Sequence, residues 1–317
     1  MHSRPIPLPV RATLFYTVAL LLLITVGGYL QHRFHLAGII LVQVGLFLGL
    51  SAVFGLLLDQ RPAREVFRLR RLTAQGLLKS VLLGVLAWAL AQVLGLLMLA
   101  LLDMLGGRMP PQYQELLEAP YPLALLAGAL VPAICEEAAF RGYIQTSLRP
   151  LGPTGAVVLT GLLFGMMHLS LIRLLPLTVL GLLFAAAAER SGSLLPSMCM
   201  HFVNNGIALT LAFLLQGRSD SLLAGEGVRA TTWPDLLILT LVAAVLSAAA
   251  WAVVRSLGPG DVAAGTRPAE PEPSAPAPRR ELIRARYLLT LMPLLPAFLI
   301  YLWATGSELA AAFTPAP

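Results

Sequence analysis

The sequence predicts an all-α, polytopic bundle of transmembrane helices, with about nine spans and at least eight. The first reason is composition, because 57% of the 317 residues are hydrophobic and only 12% are charged. Soluble domains average roughly 45–50% apolar and 25% charged residues. The second reason is the mean hydropathy of +0.80. The third is the grouping of apolar residues into runs near the ~20 residues that a helix needs to cross a bilayer.

Turn signals and polar segments separate the apolar runs and set the predicted span boundaries. The first run follows Arg4 and Arg11 and is too long for the apolar core of a cleaved signal peptide, so we interpret it as an uncleaved signal anchor. The sixth run is short for a span. The predicted spans cover residues 12–30, 36–58, 77–102, 121–148, 153–168, 174–188, 194–215, 233–254 and 287–303.

Basic residues indicate which connections share one side of the membrane. The densest basic segment is 59–72, which contains Arg61, Arg64, Arg68, Arg70 and Arg71. With the N terminus inside, this segment, Arg149, Arg190 and the basic residues between 255 and 286 all lie in the cytoplasm, as the positive-inside rule requires. We therefore expect a multi-pass integral membrane protein, placed in a bacterial inner membrane with a cytoplasmic N terminus.

The net charge of +6 comes from these membrane-flanking arginines and does not indicate a nucleic-acid partner. Membrane lipid is the expected partner. Cys135 and Cys199 fall within apolar runs, which favours small buried side chains over a disulfide.

Two adjacent carboxylates and an arginine stand in the fourth predicted span. A charged side chain at the centre of a membrane helix costs at least ~2.5 kcal/mol, so such groups indicate function. Glu137 and Arg141 are four residues apart, which places them on one helix face as a structural ion pair. Glu136 points about 100° away and lacks that partner. Pro132 removes a backbone hydrogen bond and leaves the carbonyl near Gly128 free, which predicts a kink just before the carboxylates.

Further polar groups occupy the fifth and seventh predicted spans. Phe164 lies one turn before His168. His201 and Asn205 share a helix face at i and i+4, and Asn204 stands beside Asn205. At ~1.5 Å rise per residue, these groups and the first glutamate of the fourth span lie about 12–23 Å from the inner ends of their helices. The sequence therefore predicts one shared polar pocket within the membrane core.

Such a pocket fits the hydrolysis of a peptide bond. Glu136 can accept a proton from water as a general base, and His168 can hold that water or share the proton. His201 and Asn205 offer N–H donors for the oxyanion that forms when water attacks a carbonyl, and one such donor is typically worth ~3–4 kcal/mol. Taken singly, each histidine or asparagine has a structural alternative as an interhelical hydrogen-bonding group. Phe164 is predicted to pack against the histidines.

Two hydrolytic variants stay open. Glu136, His168 and His201 would also suit zinc with water in the fourth position, although the HExxH spacing is absent from the sequence. Cys135 is a candidate nucleophile, but an apolar site suppresses its thiolate. We favour no metal cofactor.

The three motifs, in this order and in successive apolar segments, resemble those of the CPBP family. This family, also called ABI, comprises CAAX proteases and bacteriocin-processing enzymes, and its eukaryotic members are the type II CAAX prenyl endopeptidases. The motifs lie within roughly 122–211 and read Glu136-Glu137-x-x-x-Arg141, Phe164-x-x-x-His168 and His201-x-x-x-Asn205.

The resemblance implies an intramembrane endopeptidase. For this family both a metalloprotease and a metal-independent glutamate protease have been considered, and we favour the second. The resemblance implies that Glu136 and His168 activate water and that His201 and Asn205 form the oxyanion site. It also implies a membrane-bound protein or peptide as substrate, either CAAX-like and prenylated or a bacteriocin precursor. The expected division of the chain is 1–120 for N-terminal helices with the basic loop, 121–216 for the catalytic helices, 217–257 for the eighth helix, 258–284 for a disordered Pro- and Ala-rich linker, and 285–317 for a C-terminal helix and tail.

Two other classes of function remain open. A bacteriocin-immunity or scaffold protein would use the same fold to hold a peptide without cleaving it. A cation or proton transporter would use the buried carboxylate and histidines as a relay, but the sequence lacks a pair of corresponding interrupted helices. Cleavage of a membrane peptide that depends on Glu136 would distinguish the protease from both.

Overall fold

A computed structural model describes residues 6–107, 115–215, 231–263 and 289–314. Within these ranges the chain is helical apart from turns and one isolated bridge, and it forms the predicted polytopic helix bundle. Seven of its apolar helices are long enough to cross a membrane, and an eighth is shorter, with 15 residues. In chain order the eight are α1 (Leu8–Leu58), α2 (Ala74–Met104), α3 (Tyr121–Leu151), α4 (Pro153–Met167, the short one), α5 (Leu171–Ser191), α6 (Leu195–Leu215), α7 (Trp233–Ser256) and α8 (Leu289–Phe313).

The first helix, α1, contains the first two predicted spans, and the chain turns between them at His35. The backbone of His35 is not helical, with φ 46° and ψ −121°. After the turn, Gly38 approaches Leu30 so closely that a Cβ would lie 2.2 Å from the Leu30 carbonyl oxygen. The two arms of α1 therefore form a hairpin, which only glycine at position 38 allows. Counting these arms separately, the described residues contain nine apolar helical segments.

Two predicted boundaries are wrong. The sixth segment, α5, has 21 residues and is not a short span, because the Ser170 hydroxyl accepts a hydrogen bond from the Arg173 N–H and caps the helix early. The last segment, α8, continues past 303 to Phe313. Its extra residues are rich in alanine, the strongest helix former.

The outer helix α7 shows how the bundle separates its lipid-facing and packed sides. Leu237, Leu241 and Val245 follow one another at four-residue spacing, and all are exposed. Ala243 and Ala250, on the other side of the helix, are buried against the core. Because exposed leucine and valine are stable in hydrocarbon but not in water, this side suits contact with lipid.

The connections that the positive-inside rule assigns to the cytoplasm pack together at one end of the bundle. Arg68 has only 5% of its surface exposed, and its Nη2 donates to the Arg141 carbonyl oxygen at 2.9 Å. The Leu194 N–H, just before α6, donates to the Arg68 carbonyl oxygen at 3.2 Å. Burial, and next the positive charge of Arg149, lower the pKa of the Arg68 guanidinium. The basic segment after α1 is therefore an integral part of the fold.

The beginning of the predicted linker 258–284 is also ordered, which the sequence reading missed. Asp261 accepts a hydrogen bond from Lys79 Nζ at 2.9 Å, and Val262 pairs with Leu72 in an isolated antiparallel bridge. These contacts attach the end of α7 to the start of α2. Residues 264–284 of the predicted linker lie outside the described residues.

A close helix crossing lies between α4 and α5, where two glycines face each other. A Cβ on Gly181 would lie 2.7 Å from the Gly161 carbonyl oxygen. Since a backbone atom cannot move aside as a side chain can, both helices depend on glycine here to approach this closely. The crossing matters for the site because the Gly181 carbonyl is also a hydrogen-bond acceptor for Arg141.

We expect Gly181→Ala to destabilise the protein by about 1–3 kcal/mol, because the added methyl group must push α4 and α5 apart. The measurement is the apparent melting temperature in detergent micelles. Gly95→Ala is the matched control, since a Cβ at Gly95 meets open space and alanine favours the helix. Equal melting temperatures for Gly181→Ala and the unchanged protein would contradict the close crossing.

Candidate active site

The two glutamates of the site lie in α3 where its winding changes. Residues Leu126–Leu130 and Ala138–Ile144 form π-helical turns, and the α-helical stretch Val131–Glu137 lies between them. Short π-helical insertions in α-helices occur frequently at functional sites. Because Glu136 and Glu137 are adjacent on this α-helical stretch, their side chains point in different directions and contact different residues.

Pro132 affects the backbone of α3 through its missing N–H, while the expected kink stays a prediction. Having no N–H, it leaves the Gly128 carbonyl without its usual helical partner. Asn205 of α6 supplies the missing donor, because its Nδ2 lies 3.1 Å from the Gly128 oxygen. The proline in one helix thus fixes an asparagine of another at the level of the glutamates.

Glu137 and Arg141 form the predicted ion pair, and it is entirely buried. Arg141 Nη1 donates to Glu137 Oε1 at 2.8 Å, and neither side chain is exposed. Arg141 Nη2 donates to the Gly181 carbonyl oxygen of α5 at 2.9 Å. The guanidinium also lies 4.5 Å from the ring centroid of Phe164 and 5.3 Å from that of Phe184. Hydrogen bonds and aromatic faces together replace the water that a buried cation loses.

Glu137 also forms a hydrogen bond with His201, a contact that the sequence did not predict. Glu137 Oε1 accepts from His201 Nδ1 at 3.0 Å. Because an ionised carboxylate only accepts hydrogen bonds, the hydrogen lies on Nδ1. The other ring nitrogen, Nε2, is thereby turned towards Glu136 and lies 4.0 Å from its Oε2. Glu137 is therefore both an ion-pair partner and a positioning group.

Glu136 is the less buried of the two acids, with 12% of its side chain exposed. Its Oε1 accepts a hydrogen bond from Gln43 Nε2 at 2.7 Å. Gln43 lies in the second arm of α1, outside the three motifs. The sequence offered a signal that we did not use, since Gln43 is a lone amide in an otherwise apolar run, and the argument applied to the glutamates applies to it as well.

His168 terminates α4, and its orientation follows from its backbone contact. His168 Nδ1 lies 3.0 Å from the Phe164 carbonyl oxygen, an acceptor, so Nδ1 carries the hydrogen. Its Nε2 is then a free acceptor in the neutral ring. The next residue, Leu169, has φ 53°, a left-handed conformation that reverses the chain into α5.

The turn after His168 is held by α8, which lies outside the three motifs. Glu308 accepts hydrogen bonds from the Ser170 hydroxyl at 2.5 Å and from the Leu171 N–H at 2.6 Å. A carboxylate at a helix N-terminus is favourable because it meets unpaired N–H groups and the positive end of the helix dipole. Glu308 was missed because the predicted span ended at residue 303, five residues before Glu308.

The predicted site residues line one cavity of about 190 Å³. Its walls come from α3, α4, α5 and α6. The polar lining residues are Glu136, His168, His201, Asn204 and Asn205, and the others are Gly128, Pro132, Phe164, Leu177, Leu180 and Phe184. Cys135, the alternative nucleophile, is buried in the hydrophobic core and is absent from this lining.

Phe164 packs between the two histidines, as its position predicts. Its ring centroid lies 5.2 Å from that of His168 and 5.9 Å from that of His201, edge to face in both cases. Asn204 Nδ2 donates to Asn205 Oδ1 at 2.8 Å, while Asn204 Oδ1 is buried without a hydrogen-bond partner. Each asparagine amide keeps one N–H beyond the hydrogen bond that it donates.

The predicted zinc ligands do not form a metal site in this geometry. Within the four described ranges, no three His, Cys, Asp or Glu side chains are close enough to hold a metal ion. His201 binds Glu137 through Nδ1, and the Oε1 of Glu136 binds Gln43. The absence of a metal cofactor stays a prediction.

The helices that carry the site were compared with models of protein families, and one model matches. Residues 118–207 match the model described as type II CAAX prenyl endopeptidase Rce1-like. This region of the chain is therefore similar to the Rce1-like family. The matched region contains α3, α4 and α5 and the part of α6 that carries His201 and Asn205, whereas Gln43 and Glu308 lie outside it. No curated protein and no solved structure matches the chain.

The seven membrane-length helices together with this match support an integral membrane protein that is similar to a protease family. The family is named for endopeptidases of CAAX prenyl proteins.

We expect Glu137→Gln to destabilise the protein by about 3–5 kcal/mol, because it leaves the Arg141 cation buried without its counter-charge. The measurement is the apparent melting temperature of the purified protein in detergent. Glu189→Gln is the matched control. It removes the partner of Arg149, whose side chain is 41% exposed, and should cost less than about 1 kcal/mol. A loss no larger than that of the control would show that the buried pair contributes little.

Proposed function

We propose that the protein is an intramembrane endopeptidase in which Glu136 activates water to cleave a peptide bond. One observation carries this proposal: Glu136, His168 and His201 face a single cavity, with Glu136 Oε2 and His201 Nε2 only 4.0 Å apart. Two polar groups at that distance leave room for one water molecule that forms hydrogen bonds with both.

In the first step, water lies between Glu136 and the free Nε2 of His168. Glu136 takes one proton from the water, and the water oxygen attacks the carbonyl carbon of the scissile bond. The carbonyl oxygen becomes an oxyanion. Glu136 then returns the proton to the amide nitrogen as the C–N bond breaks, which gives one carboxylic acid product and one amine product.

His201 and the asparagines stabilise the oxyanion in this scheme. The Glu137 carboxylate on the Nδ1 side stabilises positive charge on the His201 ring, so that Nε2–H can donate into the cavity. Asn205 Nδ2 donates one hydrogen to Gly128 and has a second for the oxyanion. Asn204 lines the same wall and adds a further N–H. Such preorganised donors are worth ~3–4 kcal/mol each in a site that excludes water.

Gln43 completes the arrangement by orienting the base. Its hydrogen bond holds Oε1 of Glu136, so Oε2 is the oxygen that faces His201. This contact makes the N-terminal hairpin part of the site, although the family match begins only at residue 118.

The substrate that fits is a membrane-associated protein or peptide, either prenylated and CAAX-like or a bacteriocin precursor. The basic end of the bundle supports a cytoplasmic N terminus, and we place the protein in a bacterial inner membrane. With that orientation, the His168 end of the cavity faces the opposite side of the membrane.

We expect Glu136→Gln to abolish cleavage of a quenched prenylated peptide by purified protein, because the amide cannot take a proton from water. Its melting temperature should change little, since Glu136 is partly exposed and glutamine keeps its shape. Glu65→Gln, at an exposed position outside the cavity, should retain full activity. Undiminished turnover by Glu136→Gln would remove the mechanism. Peptide binding without cleavage by the unchanged protein would instead favour the immunity or scaffold function.

We expect the purified protein to work without a bound metal, because within the described residues no three His, Cys, Asp or Glu side chains are close enough to hold a metal ion. The measurement is metal content by mass spectrometry together with activity after treatment with a strong chelator. Activity should be unchanged. One zinc per chain, removed with loss of activity and restored with its return, would replace this mechanism by a zinc-dependent one but would keep the protease function.

A further inference from the structure

An acidic side chain lies in the apolar helix α8, close to the turn that follows His168. Glu308 is half-buried, and its neighbours in the chain are small or apolar residues. A carboxylate in a membrane-length helix is costly, so the argument that singled out the glutamates of α3 applies to it as well. Its position in α8 therefore requires specific partners.

The partners of Glu308 are the two residues that begin α5. Its Oε1 accepts from the Ser170 hydroxyl at 2.5 Å, and its Oε2 accepts from the Leu171 N–H at 2.6 Å. The Ser170 oxygen in turn accepts from the Arg173 N–H at 3.2 Å, so this hydroxyl is an acceptor on one side and a donor on the other. One carboxylate thus fixes two consecutive residues, with one contact on each of its oxygens.

The residue between His168 and this anchored pair has a strained backbone. Leu169 has φ 53°, in the left-handed region that residues with a Cβ rarely adopt. Such a conformation persists only where the surrounding contacts enforce it. On one side, the Leu169 N–H donates to the Met166 carbonyl oxygen at 3.1 Å, at the end of α4. On the other side, the contacts are those of Glu308.

His168 depends on this turn for its place in the cavity. It is exposed, and its ring is bound to its own helix, with Nδ1 3.0 Å from the Phe164 carbonyl oxygen. A contact within one helix fixes the ring relative to α4, but it does not fix the end of α4 relative to the other cavity walls. Relaxation of the strain at Leu169 would therefore displace the end of α4 and carry Nε2 away from Glu136.

We propose that Glu308 is a positioning residue for His168, which holds the left-handed turn so that Nε2 of the imidazole faces the water bound by Glu136. This inference rests on the proposed endopeptidase function. Glu308 is not among the residues that line the cavity, so its effect passes through the backbone of the turn and not through the substrate.

The helix that supplies Glu308 lies outside the matched region 118–207, as does the hairpin that supplies Gln43. Gln43 binds the general base, and Glu308 binds the turn after the histidine. The two segments also contact each other, since the Thr17 hydroxyl of α1 donates to the Pro293 carbonyl oxygen of α8 at 2.5 Å. Both groups that activate water are therefore held from outside the four helices that line the cavity.

The first test is the activity of Glu308→Gln on the quenched prenylated peptide. Glutamine keeps the shape of the side chain but replaces one accepting oxygen by an NH₂ group, so one of the two anchoring contacts is lost. We expect kcat to fall at least about tenfold, because a small displacement of a catalytic group is enough for such a loss. KM should stay within about twofold, since Glu308 does not contact the substrate. Glu308→Asp keeps the charge and should retain more activity than Glu308→Gln.

A second comparison separates positioning from general destabilisation. In a His168→Ala background, Glu308→Gln should cause no further loss of kcat, because the group on which it acts is already gone. Loss by the same factor in both backgrounds would overturn the proposal, as would a raised KM with unchanged kcat. Ser307→Ala is the matched control on α8, since this exposed hydroxyl donates to the Trp303 carbonyl oxygen of its own helix. It should leave kcat and KM unchanged.

A measurement without substrate tests the same contact. The chain has five histidines, so ¹⁵N labelling of histidine gives few side-chain signals, and alanine variants assign those of His168 and His201. Glu308→Gln should shift the ring signals of His168 and leave those of His201 in place. Unchanged signals for both rings, or equal shifts of both, would overturn the role of Glu308. Failure of the unchanged protein to cleave any peptide would instead overturn the proposed function, and the histidine signals distinguish the two failures.

Discussion

The Arg141 guanidinium is fully buried, and its hydrogen bonds reach Glu137 on its own helix and the Gly181 carbonyl on α5. A buried cation without a partner costs several kcal/mol, so the helices around Arg141 must keep the geometry that satisfies it. Glu137 accepts from both Arg141 and His201, which ties α6 to the same point. One ion pair thus sets the relative positions of three helices, and the active-site cavity lies where they meet.

The proposed catalytic roles depend on the side-chain atoms that this ion pair leaves facing the cavity. Glu137 is bound to Arg141 and His201. Its neighbour Glu136 is the acid that faces the cavity. Because Nδ1 of His201 is held by Glu137, only Nε2 of that ring can take part in chemistry. Two adjacent glutamates of identical type therefore acquire different functions, and the difference comes from the helix rotation of ~100° between consecutive residues. The close packing of Gly161 against Gly181 contributes to the same arrangement of helices. It brings the Gly181 carbonyl within hydrogen-bonding distance of Arg141.

Local spacing predicted much of this site from the sequence alone. The i and i+4 positions of Glu137 and Arg141 determine their pairing, and Pro132 frees the carbonyl that Asn205 then occupies. The contacts that the sequence did not reveal join residues far apart in the chain. Gln43 and Glu136 are separated by 93 positions, and Glu308 and Ser170 by 138. No periodicity within one helix carries information about which distant helix lies beside it. Glu308 was further hidden by the weak apolar signal at the end of α8, where alanine, not leucine, continues the helix.

The account depends on a scissile carbonyl entering the space between Glu136 and His201. The most direct measurement is a cryo-EM structure of the unchanged protein bound to a peptide in which a nonhydrolysable ketomethylene group replaces the scissile amide. We predict that the space between the ketone carbon and Glu136 holds one water molecule. The ketone oxygen should point to His201 Nε2 and the asparagine amides. A peptide held elsewhere in the bundle, with the cavity closed to it, would contradict the central claim.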